Sequence, residues 1–119
     1  MYEVKYDDKK NRMYVRLDGF VKKEEAIAYR LECEREHKKL RPGATFLMDA
    51  VKLKTLPQDS MEEIQKVRAH AVDNGMVKGA MVLENNILIM QARRTARKIT
   101  GFSEEYFTDL EAAKKYLDI

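Results

Sequence analysis

Two stretches of the chain, Ala44-Thr45-Phe46-Leu47-Met48 and Gly79-Ala80-Met81-Val82-Leu83, are apolar without alternation. An uninterrupted run of this kind suits a central strand buried on both faces, and such strands belong to sheets that carry helices on both sides. Segments with helical spacing of apolar residues follow each run. Strand and helix therefore alternate, which predicts an α/β layer structure built mainly on parallel strands.

The remaining segments fit that frame. Tyr2, Val4 and Tyr6 alternate with Glu3 and Lys5, and Met13, Val15 and Leu17 alternate with Tyr14, Arg16 and Asp18. The polar turn Asp7-Asp8-Lys9-Lys10-Asn11 between them predicts a β-hairpin at one edge. A helix is expected over 23–39, with one stripe of Ala26, Tyr29, Cys33 and Leu40, a second of Ile27 and Leu31, and a stop at Arg41-Pro42-Gly43. Ser60-Met61-Glu62-Glu63 reads as a capping box. The helix it opens carries Met61, Ile64, Val67, Ala71 and Val72 on one face and closes at Asn74-Gly75. Asn85-Asn86 starts a helix to about Thr100, Tyr106-Phe107 a short strand, and Thr108 with Glu111 the last helix. The order is ββαβαβαβα in a single domain over 1–119, with a mixed, mainly parallel five-stranded sheet and 50–59 as loop.

Composition narrows the functional classes. With 23 basic and 20 acidic residues, the net charge of +3 is no nucleic-acid footprint, and no nucleic-acid partner is expected. No apolar run reaches the ~18 residues of a membrane span, and the opening Met-Tyr-Glu-Val-Lys does not read as a signal peptide. One cysteine makes no internal disulfide, which suits a reducing, cytoplasmic setting.

Catalytic chemistry is sparse. Cys33 and His37 stand four residues apart on one helix, but two ligands make half a metal site, and Cys33 shares its stripe with Tyr29 and Leu40. His70 falls opposite the Ile64/Ala71 face, as a solvated histidine would. No phosphate-binding glycine loop and no nucleophile elbow is present, so neither a cofactor nor a catalytic residue is expected. Asp49 ends an apolar strand, where α/β sheets gather ligands; it is a candidate ligand-binding or acid–base residue, or else binds loop amides of 50–55. Ser60 at a helix start is a candidate anion or phosphorylation site, or else a plain cap. Asn85 and Asn86 are candidate ligand-binding residues at the next helix start.

The 86–100 helix carries the clearest surface signal. Ile87 and Met90 project away from Leu88, Ala92 and Ala96, onto the side that holds Arg94, Arg97 and Lys98. An exposed apolar start followed by a basic stripe is the pattern of a helix that meets a membrane surface, a protein partner or a second copy. Lipid binding through so short a face would be weak and reversible.

Certain residues, in this order, carry a resemblance. Val15-Arg16-Leu17-Asp18-Gly19-Phe20 precedes Glu24-Glu25-Ala26, and Leu40-Arg41-Pro42-Gly43 leads into Phe46-Leu47-Met48-Asp49. Asn74-Gly75-Met76-Val77-Lys78 precedes the Ala80–Leu83 strand, and Tyr106-Phe107-Thr108-Asp109-Leu110-Glu111-Ala112-Ala113 ends the series. Over nearly the whole chain this resembles the STAS/SpoIIAA-like family, related to anti-sigma-factor antagonists, and within it the stand-alone SpoIIAA-like branch. The resemblance implies a non-enzymatic binding or regulatory module, with a small ligand in a cleft, peripheral membrane association and homodimers. Anti-sigma antagonists are phosphorylated within Asp-Ser-Ser/Thr-Gly. Here Asp59-Ser60-Met61-Glu62 matches only the first two positions, with Met61 at the phosphoacceptor position. A phosphoswitch at Ser60 and a small enzyme using Asp49 remain the alternatives.

Overall fold

The computed structural model describes residues 1–119. In chain order the elements are β1 (Tyr2–Asp7), β2 (Arg12–Leu17), β3 (Gly19–Phe20), α1 (Lys23–His37), β4 (Ala44–Asp49), β5 (Leu53–Thr55) and α2 (Gln58–Asp73). They continue with β6 (Met76–Val82), α3 (Asn86–Thr95), β7 (Ser103–Phe107) and α4 (Leu110–Leu117). The main sheet has the order β1-β2-β4-β6-β7, antiparallel at β1–β2 and parallel elsewhere. The expected α/β fold is the observed one.

Each strand divides its side chains between two layers, as the period of 2 requires. Met13, Val15 and Leu17 of β2, Phe46 and Met48 of β4 and Met81 of β6 face the larger core, which α1, α2 and α3 cover with Tyr29, Cys33, Ile64, Val67, Ala71 and Ile89. Leu47, Ala80 and Val82 face the other way, against Ala113 and Leu117 of α4. All five residues from Ala44 to Met48 are buried, as a strand covered on both faces must be. Gly79 leaves room for Phe102, because a Cβ there would stand 2.8 Å from the ring. In α1 the stripe of Ala26, Tyr29, Cys33 and His37 is buried, while Leu31 of the second stripe is exposed. The Cys33 thiol is pushed up to about 12 by burial, so it packs as an apolar group and stays un-ionised at neutral pH.

Four expectations need correction. The 50–59 segment is not all loop: Leu53–Thr55 pairs in parallel with Gly19–Phe20 in a small second sheet, a pairing too short and too distant in sequence to leave a periodic signal. The 60–63 capping box does not form. Helix α2 starts at Gln58, behind Pro57, so Ser60 sits inside the first turn with its hydroxyl turned inward. Glu63 instead accepts from Arg30 Nε at 2.6 Å and from Lys66 Nζ at 3.1 Å. Helix α4 is capped by Asp109, which accepts from the Glu111 N–H, and not by Thr108. Helix α3 stops at Thr95 rather than near Thr100, with Ala96 extended at ψ 130°. The Thr95 hydroxyl bonds back to the Gln91 and Ala92 carbonyls, and this local alternative competes with the next helical turn.

Candidate functional site

A cavity of about 340 Å³ lies between α2, α3 and the carboxyl ends of the parallel strands, where open α/β sheets place ligands. Its volume is in the ~300–1,000 Å³ range of small-molecule sites. Leu17, Met48, Met81 and Leu83 line it from the sheet side, and Ala50, Leu53 and Leu56 from the segment around β5. Met61 and Ile64 of α2 and Leu88 and Ala92 of α3 close it from above, and 13 of the 19 lining residues are hydrophobic. The wall is therefore largely apolar; Lys54, Gln91 and Thr95 also line it, and Gln65, Arg68 and Glu104 form a polar cluster at one end.

That end is a buried network. Arg68 of α2 and Glu104 of β7 have side chains only 8% exposed each. Arg68 Nη2 donates to Glu104 Oε1 at 2.9 Å and Nε to Oε2 at 3.3 Å, a two-pronged pair. Nη1 donates to Gln65 Oε1 at 2.6 Å, and Nη2 also reaches the Arg97 carbonyl at 3.3 Å. The Tyr106 hydroxyl donates to Glu104 Oε1 at 2.9 Å. Burial and the Glu104 carboxylate push the Tyr106 phenol well above its ordinary range, so it remains a neutral donor.

Beyond Arg68, Ala96, Glu104 and Tyr106, which border both spaces, opens a more polar groove of about 610 Å³. Arg93, Arg97 and Lys98 line it with Ile99, Thr100 and Phe102. Arg93 is paired with Glu105 at 2.7 Å.

The candidate ligand residues chosen from sequence are not brought together. Asp49 lies between Met48 and Ala50, both of which line the cavity, but its own side chain belongs to the opposite face of the sheet. Its Oδ1 accepts from the Val51 N–H at 3.1 Å, so it holds the turn, and it is not among the residues that line the cavity. Ser60 is 0% exposed and does not line the cavity; its Oγ has no hydrogen-bond partner. Asn85 caps α3, accepting from the Leu88 N–H at 3.0 Å. Asn86 borders a separate shallow groove with Asp109 and Ala112.

On α3, Ile87 and Met90 are 68% and 55% exposed, as their spacing predicts. Arg94 shares their helix, but Arg97 and Lys98 lie past its end, because α3 stops at Thr95. The expected single apolar–basic stripe is thus split between a helix face and the groove.

The chain's two histidines meet. His37 of α1, 1% exposed, places Nδ1 2.7 Å from Nδ1 of His70 on α2, with the rings stacked. Burial, and the repulsion of a second charge on His70, lower His37 to about 4. His70 is therefore not the freely solvated residue its position on the helix suggested. His37 Nε2 is buried without a partner. The less costly tautomer puts the proton on Nδ1 of His37, donating to His70.

Both histidines and the Arg68–Glu104 pair escaped sequence reasoning as partners. No family model matches the chain, and no curated protein matches it significantly. No helix is long and apolar enough to cross a membrane.

Proposed function

We propose that the protein is a non-enzymatic binding module that takes a small apolar molecule into the cavity between α2, α3 and the sheet. The observation that carries this is the lining itself: an apolar wall of about 340 Å³ at the carboxyl ends of the strands. Burying apolar ligand surface there is favourable by roughly 25 cal/mol per Å² before the costs of association. Binding is favoured over catalysis because the polar groups at the cavity's end are engaged with one another: Glu104 accepts from Arg68 and Tyr106, and Gln65 accepts from Arg68. The order of elements supports the STAS/SpoIIAA-like resemblance, and Met61, at the position of that family's phosphoacceptor, is a cavity residue here. That favours ligand binding over a phosphoswitch.

Titration with the uncharged fluorophore N-phenyl-1-naphthylamine tests this. The expected result is saturable binding to one site, weakened about tenfold or more by Ala92→Phe, whose ring would fill the cavity. Absence of saturable binding, or equal binding by Ala92→Phe, would count against it.

A second reading has its own observation. The exposed Ile87 and Met90, with Arg94 one turn on, support weak contact of α3 with an anionic lipid surface. Co-sedimentation with phosphatidylserine vesicles is expected for the wild type and is expected to fall severalfold for Ile87→Ser/Met90→Ser. If native mass spectrometry instead shows a homodimer that the same variant dissociates, the face belongs to a second copy.

A further inference from the structure

The apolar cavity and the basic groove share a wall, and this says more about the ligand than either space alone. Arg68, Ala96, Glu104 and Tyr106 border both. Arg68 and Tyr106 are fully engaged with Glu104, and Arg93 is engaged with Glu105. The groove thus holds two cations whose charge no carboxylate offsets, Arg97 and Lys98. Their placement is fixed by the fold. Because α3 ends at Thr95 and Ala96 is extended, the chain leaves the helix face and turns along the groove. Arg68 Nη2 then holds the Arg97 carbonyl at 3.3 Å. A helix continued to Thr100 would have carried both side chains around its own axis instead.

We propose that the ligand is a single-chain amphiphile with an anionic end group, its chain in the apolar cavity and its anion held in the groove by Arg97 and Lys98. This rests on the cavity being a binding site, as proposed above. A wholly apolar ligand would leave the two cations without a partner, and a small inorganic anion would leave the cavity unused. A cationic amphiphile would meet like charge at the groove. Of these ligands, the anionic amphiphile alone matches both spaces at once. The groove is open to water, so the anion's contribution is screened by salt.

Isothermal titration calorimetry of the whole protein with decanol, decanoate, decyl phosphate and decylamine, each below its micellar concentration, tests the proposal. At low salt, one or both anions are expected to bind about tenfold or more tighter than decanol, and decylamine more weakly than decanol. The ratio of anion to alcohol affinity is expected to collapse in Arg97→Gln/Lys98→Gln. It is expected to persist in the charge-matched control Lys9→Gln/Lys115→Gln, whose exposed side chains line neither space. Equal affinity for decanol and the anions, or an anion preference that survives Arg97→Gln/Lys98→Gln, overturns the inference and leaves the apolar site standing. Failure of all four ligands to bind, decanol included, overturns both.

Discussion

Glu104→Ala is expected to destabilise the protein by about 3 kcal/mol, the low end of what removing one partner of a buried ion pair costs. Most of that loss is the penalty of leaving Arg68 charged and buried. Arg68 keeps two acceptors, Gln65 Oε1 and the Arg97 carbonyl, but neither carries charge, and the groove beside it admits water, so the low end applies. Removing both charges behaves differently. Arg68→Met/Glu104→Leu replaces the pair with apolar groups against Phe102 and the cavity wall, and its stability is expected within about 1 kcal/mol of wild type. Urea denaturation of the two variants gives the comparison directly. If Glu104→Ala loses less than about 1 kcal/mol, the pair is solvated and the network does not seal the end of the cavity.

Acidification is the second large effect. The folded chain holds His37 neutral down to about pH 4, whereas in the unfolded chain it takes up a proton near the ordinary value of ~6.5. Between those values the unfolded state binds more protons, so stability is fully present above ~6.5 and falls as the pH is lowered. The window of roughly two and a half pH units corresponds to about 3 kcal/mol, reached near pH 4. His70 opposes a second charge across the 2.7 Å contact, and Glu34 on the same helix partly offsets the effect. Carboxylates held low by partners, such as Glu63 beside Arg30 and Asp118 beside Arg12, add their own losses at still lower pH. His37→Gln separates the two. Its stability between pH 7 and 5 is expected to be nearly flat where the wild type declines, and parallel curves would place the acid sensitivity elsewhere.

The layers of the fold were legible because they depend on local period. The buried runs at 44–48 and 79–83 and the helical stripes between them name the sheet and its cover. What escaped is what depends on contacts far apart in sequence. Asp49 marks the right end of the right strand. Its neighbours Met48 and Ala50 line the cavity because side chains alternate, and Asp49 points away for the same reason. Arg68 lies next to Val67 and four residues after Ile64, on the buried stripe of α2, and a cation there was a readable sign of a buried partner. Glu104, 36 residues on, gave no such sign. His37 extends the Tyr29–Cys33 stripe, so its burial could be read, but the ring it meets sits on another helix. The end of α3 was misplaced because neither a glycine nor a proline marks it; a threonine hydroxyl and a guanidinium from α2 do the work that a terminating residue would otherwise do.

The sheet order β1-β2-β4-β6-β7 is also the order of synthesis. No later strand has to be inserted between two earlier ones, so the sheet can grow at one edge as the chain emerges. The two faces mature at different times. The side covered by α1 and α2 closes early, while Leu47, Ala80 and Val82 are covered by Ala113 and Leu117 of α4, near the end of the chain. A nascent chain that has completed β6 but not α4 therefore carries an open apolar face beside an unpaired strand edge. Until α4 docks, that intermediate is the form most exposed to association with other chains.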